Sequence, residues 1–89
     1  MALEPGYSVL ANEQLDEILT SGNNDLYNDL IDACEGVLDN PGAARLHSSA
    51  VKVEDGSIVF RYPVPSQAPY KVFWSSDGPT IDAVFPYRT

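Results

Sequence analysis

The sequence predicts an α+β fold in which a short N-terminal strand and a two-helix hairpin pack on a C-terminal antiparallel β-sheet. Two observations carry this expectation. Apolar residues recur at helical spacing up to Leu38 and alternate with polar ones from Val51 onward, with the change falling around Asp39-Asn40-Pro41-Gly42. The charge divides at the same place: Glu4, Glu13, Asp16, Glu17, Asp25, Asp29, Asp32, Glu35 and Asp39 precede residue 45, while every Lys and Arg follows residue 44.

Taken in order, Gly6-Tyr7-Ser8-Val9-Leu10 reads as a brief first strand. Leu15, Ile18 and Leu19 then recur at helical spacing opposite Glu13, Asp16 and Glu17, predicting a helix over 12–20 that Asn12 caps, with acids in its first turn where the dipole favours them. Ser21-Gly22-Asn23-Asn24 breaks it. Leu26, Leu30, Cys34, Val37 and Leu38 form one stripe of a second helix over 25–39, which Asn40-Pro41-Gly42 ends. A connection this short favours an antiparallel helical hairpin.

After residue 45 the period becomes two. Strands are expected near 51–54, 57–63, 70–75 and 80–85, with Asp55-Gly56 and Ser76-Asp77-Gly78-Pro79 as turns and the proline-rich stretch 63–69 as a connection. Ile58, Phe60 and Tyr62, then Tyr70, Val72 and Trp74, then Ile81, Ala83 and Phe85, are the faces expected to meet the helices. Phe60, Val72, Trp74 and Ile81 should pack on Leu15, Leu30 and Leu38.

Eighty-nine residues, 44% of them hydrophobic, suit one core, so residues 1–89 are expected to form a single domain. The longest apolar runs are a few residues, far short of the roughly 20 a spanning helix needs. The start, Met1-Ala2-Leu3-Glu4-Pro5, has neither a basic leader nor an apolar core segment, and the cytoplasm is the expected compartment. Cys34 is the only cysteine, which excludes an internal disulfide and a cysteine-rich zinc site, and its place in the apolar stripe makes it a buried structural thiol. Neither metal nor small-molecule cofactor is expected. A net charge of −8 sets the whole chain against a polyanionic partner, although Arg45, Lys52, Arg61, Lys71 and Arg88 all fall in the near-neutral second half.

The order strand, helix, helix and antiparallel strands resembles the RelE/ParE toxin superfamily, and local phrases agree over nearly the whole chain. Leu38-Asp39-Asn40-Pro41 is similar to the phrase that ends the family's second helix, and Arg45-Leu46 follows where an Arg-Leu pair often does. Pro69-Tyr70-Lys71-Val72-Phe73-Trp74 resembles a middle strand of the family, and Ile81-Asp82-Ala83-Val84-Phe85-Pro86-Tyr87-Arg88 resembles its last. The resemblance implies a toxin-module protein that engages gyrase or the ribosome and is neutralised by an antitoxin. RelE-like members are metal-independent, ribosome-dependent endoribonucleases in which a ribose 2′-hydroxyl attacks the neighbouring phosphate, whereas ParE-like members bind and poison gyrase. A third alternative is a non-catalytic protein-binding module of this fold.

For cleavage, cations must hold the charge of the phosphorane and a donor must assist the leaving oxygen. Arg61 and Lys71 are the candidates on adjacent strands, both expected on the face away from the helices. Tyr87 and Arg88, at the end of the last strand, complete the candidate catalytic set; Arg45 and Lys52 are candidate RNA or phosphate ligands, and His47 is a possible base. Tyr87 stands where the family often has histidine, Lys71 where arginine is common, and the chain is acidic where ribosome-binding members are basic. These departures favour binding over cleavage. Asp16, Glu17, Asp29 and Asp32 are then candidate contacts on the helices, and Tyr62, Tyr70, Phe73, Trp74 and Tyr87 are candidate contact aromatics.

Overall fold

A computed structural model describes residues 6–76 and 78–87. It is an α+β structure in which helices precede a four-stranded antiparallel sheet of order β1-β2-β3-β4. Helix α1 spans Val9–Thr20, α2 Asn24–Asp39 and α3 Pro41–Leu46; the strands are β1 Ser49–Lys52, β2 Ile58–Pro63, β3 Tyr70–Ser75 and β4 Thr80–Pro86. No described helix is long and apolar enough to cross a membrane. The expected Met1–Pro5 start and the turn residue Asp77 lie outside the described residues.

The expected first strand is reduced to one parallel bridge, Tyr7 with Ile81. Helix formation overtakes the rest of that segment because Ser8, not Asn12, is the N-cap: its hydroxyl accepts from the Ala11 N–H at 3.0 Å. Starting at Val9 instead of residue 12 leaves the first turn of α1 without an acid and buries Ala11 beside Leu15, while Leu19 is 42% exposed. Gly6 is required where it lies. Its φ is +86°, and a Cβ there would come within 3.1 Å of the Leu38 methyls.

In α2, Leu26, Leu30, Cys34 and Val37 are buried and Leu38 is partly buried, as the stripe predicts. Asn40 does not simply end the chain's helical part. Its side chain accepts from the Ala43 N–H at 3.2 Å and starts α3, with Pro41 in the first turn, where the missing N–H of proline does no harm. Arg45 therefore lies on a helix. That helix is tied to the sheet through Ser48, whose hydroxyl donates to the Ala44 carbonyl at 2.7 Å and accepts from the Trp74 indole at 3.1 Å.

The sheet's inner face meets the helices with Val72, Trp74 and Ile81 fully buried, Val84 nearly so, and Phe60, Tyr62 and Tyr70 partly buried against them. Ile58, expected inside, is 54% exposed, while Phe60, two residues on, is partly buried with Arg45 of α3 over its ring. The larger correction concerns β4. Phe73 pairs with Ala83 but Trp74 pairs with Ile81, so Asp82 is an extra residue, a β-bulge. Inward positions are thus Ile81 and Val84, and Ala83 and Phe85 turn to the outer face, opposite to simple alternation. Ser8 fixes the bulge by donating from its hydroxyl to the Asp82 carbonyl at 2.7 Å.

The proline-rich connection contains a short 3₁₀ turn at Pro65–Gln67 and a cis Ala68–Pro69 bond. It is anchored to α2 by Asp29, which accepts from Ser66 at 3.1 Å and from Gln67 at 2.8 Å.

Leu30 is fully buried. Truncating it to alanine is expected to destabilise the fold by about 2–5 kcal/mol, whereas Leu19→Ala should change stability by roughly 0.5 kcal/mol or less. Urea unfolding of the two variants checks this; equal losses would mean that α1 and α2 do not present these faces to the sheet.

Candidate binding face of the sheet

The helices cover one side of the sheet and leave the other bare. On that outer side the register aligns Arg61 with Phe73 and Ala83, and Pro63 with Lys71 and Phe85. The bulge brings Phe85 over Phe73, where the rings stack at 4.6 Å and 7°. Tyr87 meets Phe73 edge-on at 5.5 Å and Phe85 at 6.2 Å, so three aromatic rings form one cluster.

Two of the expected cations frame this cluster. The Arg61 guanidinium lies over the Tyr87 ring at 5.2 Å, a cation–π contact. The Lys71 ammonium donates to the Tyr87 carbonyl at 3.1 Å, with a longer 3.5 Å approach to the Pro69 carbonyl. The Tyr87 N–H in turn donates to the Pro69 carbonyl at 3.0 Å, which holds the residue against the start of β3. Arg61, Lys71 and Tyr87, separated by up to 26 positions in sequence, are therefore gathered at one place. Arg88 lies outside the described residues.

The other candidates are elsewhere. Arg45 lies over Phe60 at 5.2 Å on the inner side, and Lys52 opposes Ile58 on that same side, so neither shares a surface with Arg61 and Lys71. His47 is exposed at the C-cap of α3. Of the candidate contact aromatics, Phe73 and Tyr87 face outward, while Tyr62, Tyr70 and Trp74 belong to the core. On the helices, Asp16, Glu17 and Asp32 are exposed, but Asp29 is occupied in holding the proline-rich connection.

Phe85 and Asp82 were missed as features of this face, because their positions follow from the bulge. Asp82 lies beside Ser75, and with Ile58 and Val59 they border an open groove at the end of the sheet nearest the β1–β2 turn. Partial burial pushes the Asp82 carboxyl above its ordinary value, opposed by a hydrogen bond from Ser75. Cys34 carries no chemistry here: burial drives its thiol up to about 12 against a hydrogen bond with Tyr7, so it stays protonated and unreactive. No group of three or more His, Cys, Asp or Glu among the described residues is arranged to hold a metal ion.

Comparison with protein-family models, with curated proteins and with solved structures gives no match.

Asp82 makes stability pH-dependent with a definite sign. The folded protein holds this proton more tightly than the unfolded chain, whose value is near 3.8. The stabilisation is fully present below that value and is lost as pH rises through the higher folded value. Replacing Asp82 by Asn is expected to remove this loss. Urea midpoints of wild type and variant across the acidic range measure it, and parallel curves would contradict the burial of the carboxyl.

Proposed function

We propose that this chain is a RelE/ParE-like toxin-module protein that acts by engaging a cellular target, gyrase or the ribosome, through the outer face of its sheet, and that an antitoxin neutralises it. The observation that carries the proposal is the uncovered cluster of Phe73, Phe85 and Tyr87 framed by Arg61 and Lys71. Aromatic and arginine side chains supply most of the binding energy at protein interfaces, and two cations on a chain of net charge −8 set this face apart from the acidic helices. Support for the family comes from the sequence phrases together with the order of helical hairpin and antiparallel sheet.

A second reading, a metal-independent endoribonuclease, is favoured by the convergence of Arg61 and Lys71 on Tyr87. In it the two cations stabilise the phosphorane formed when a ribose 2′-hydroxyl, giving its proton to solvent water, attacks the neighbouring phosphate; the Tyr87 hydroxyl donates its proton to the leaving oxygen and is reprotonated from solvent. The overall charge weighs against it, because an acidic chain loses the electrostatic attraction that RNA binders use.

Expression of wild type, Arg61→Ala, Lys71→Ala and Phe73→Asp in a bacterial host, with growth followed and ribosome-bound messages mapped, separates these readings. The binding mode predicts a toxic wild type with intact messages, and toxicity that falls in Arg61→Ala, changes least in Lys71→Ala and is lost in Phe73→Asp. Cleaved messages, with cleavage falling roughly 100- to 1,000-fold in either alanine variant, would replace binding by nuclease action. A non-toxic wild type would leave a protein-binding module without toxin activity.

A further inference from the structure

The two edges of the sheet are finished differently. Along β4 several outward polar groups are taken: the Ile81 N–H donates to the Gly6 carbonyl at 2.6 Å, the Ile81 carbonyl accepts from the Ser8 N–H at 2.9 Å, and the Val84 N–H donates to the Gln14 side chain at 2.6 Å. Pro86 brings no N–H to the end of that edge. Among the described residues strand β1, the opposite edge, has no such cover, and its one strand neighbour there is β2.

Its register shows which groups are left over. Val53 donates to the Ser57 carbonyl at 3.0 Å where the β1–β2 hairpin closes. Alternation along an antiparallel ladder then points the N–H and C=O of Val51 and Ser49 at β2, and those of Ala50 and Lys52 away from it. Apolar side chains surround this open edge: Leu46 is 84% exposed, Ile58 54% and Val53 37%. An uncovered edge of this kind is a template for another strand.

We infer that β1 pairs with β1 of a second copy, antiparallel about a two-fold axis at Val51, to give one continuous sheet through both molecules. The strand is complementary to itself in three respects. Ala50 of one copy exchanges N–H and C=O bonds with Lys52 of the other, which uses the outward groups and no others. On the outer face Val51 meets Val51, flanked on each side by Val59 and by Val53, so the contact there is apolar. At each end of the pairing, α3 of one copy, which carries Arg45, lies beside the β1–β2 turn of the other, which carries Glu54 and Asp55. Antiparallel pairing thus sets the Arg45 end of each β1 against the Glu54 end of the other. It also keeps α1 and α2, which carry most of the acids and pack over β3 and β4, at the far ends of the combined sheet, where their mutual repulsion is screened.

The inference is independent of the toxin reading, since it uses the β1 edge and not the aromatic face. Sedimentation equilibrium of the full chain up to millimolar concentration tests it. Wild type is expected to dimerise, and Ala50→Pro, which removes an outward N–H while leaving the bonds to β2, is expected to weaken the dimer by about tenfold or more. Glu54→Arg and Arg45→Glu should each weaken it and the two together restore it, and near-ultraviolet circular dichroism of Trp74 confirms that each variant is folded. A wild type that stays monomeric throughout, or a dimer indifferent to Ala50→Pro and to Glu54→Arg, would overturn the proposal.

Discussion

Ile81 and Val84 both point into the core although they are three positions apart, which a regular strand forbids because its side chains change face at every residue. The extra residue at Asp82 resolves the conflict. The aromatic cluster of the outer face follows from it. Without the bulge, Phe85 would be driven toward the helices and Val84 out into solvent, and the cluster with Phe73 and Tyr87 would not form. The bulge also places the Asp82 carboxyl in partial burial beside Ser75, the origin of its raised proton affinity.

The bulge depends on the chain that precedes α1. Ser8 caps that helix and, through the same hydroxyl, donates to the Asp82 carbonyl, while Gly6 and Gln14 occupy polar groups on either side. One short segment therefore begins a helix, closes the β4 edge and fixes the face that the last strand presents. Leaving the bulged carbonyl unpaired would have a desolvation penalty of about 1–3 kcal/mol, so the local irregularity persists because a partner is supplied for it. Sealing one edge in this way leaves β1 as the open edge among the described residues.

Much of the architecture was legible in the sequence. The stripe from Leu26 to Val37 is a strong 3.6-residue pattern and the helix follows it within one residue at its start; the alternation of Tyr70, Val72 and Trp74 likewise fixes the inner face of β3. Other parts were legible and misread. Asn40-Pro41 reads as a stop after α2, yet a capping asparagine followed by proline at the first helical position is also a start signal, and it begins α3. Ser8 is as good a cap as Asn12, and the β-prone look of Tyr7 to Leu10 obscured it. The bulge left no local signal, since it is set by tertiary pairing with Gly6 and Ser8. Alternation alone puts Arg61 and Lys71 on one face of the sheet; that both touch Tyr87 depends on the end of β4 and on Pro69 across the sheet.

The most direct measurement of this arrangement is the set of nuclear Overhauser contacts from the rings and methyls of β4 in solution. Phe85 ring protons should show contacts to Phe73 and Tyr87, and the Val84 methyls should show contacts to the core with Val72 and the helices. Contacts from Phe85 to Leu15 or Leu30, with Val84 facing solvent, would mean that β4 runs without the bulge and that the outer aromatic face does not exist.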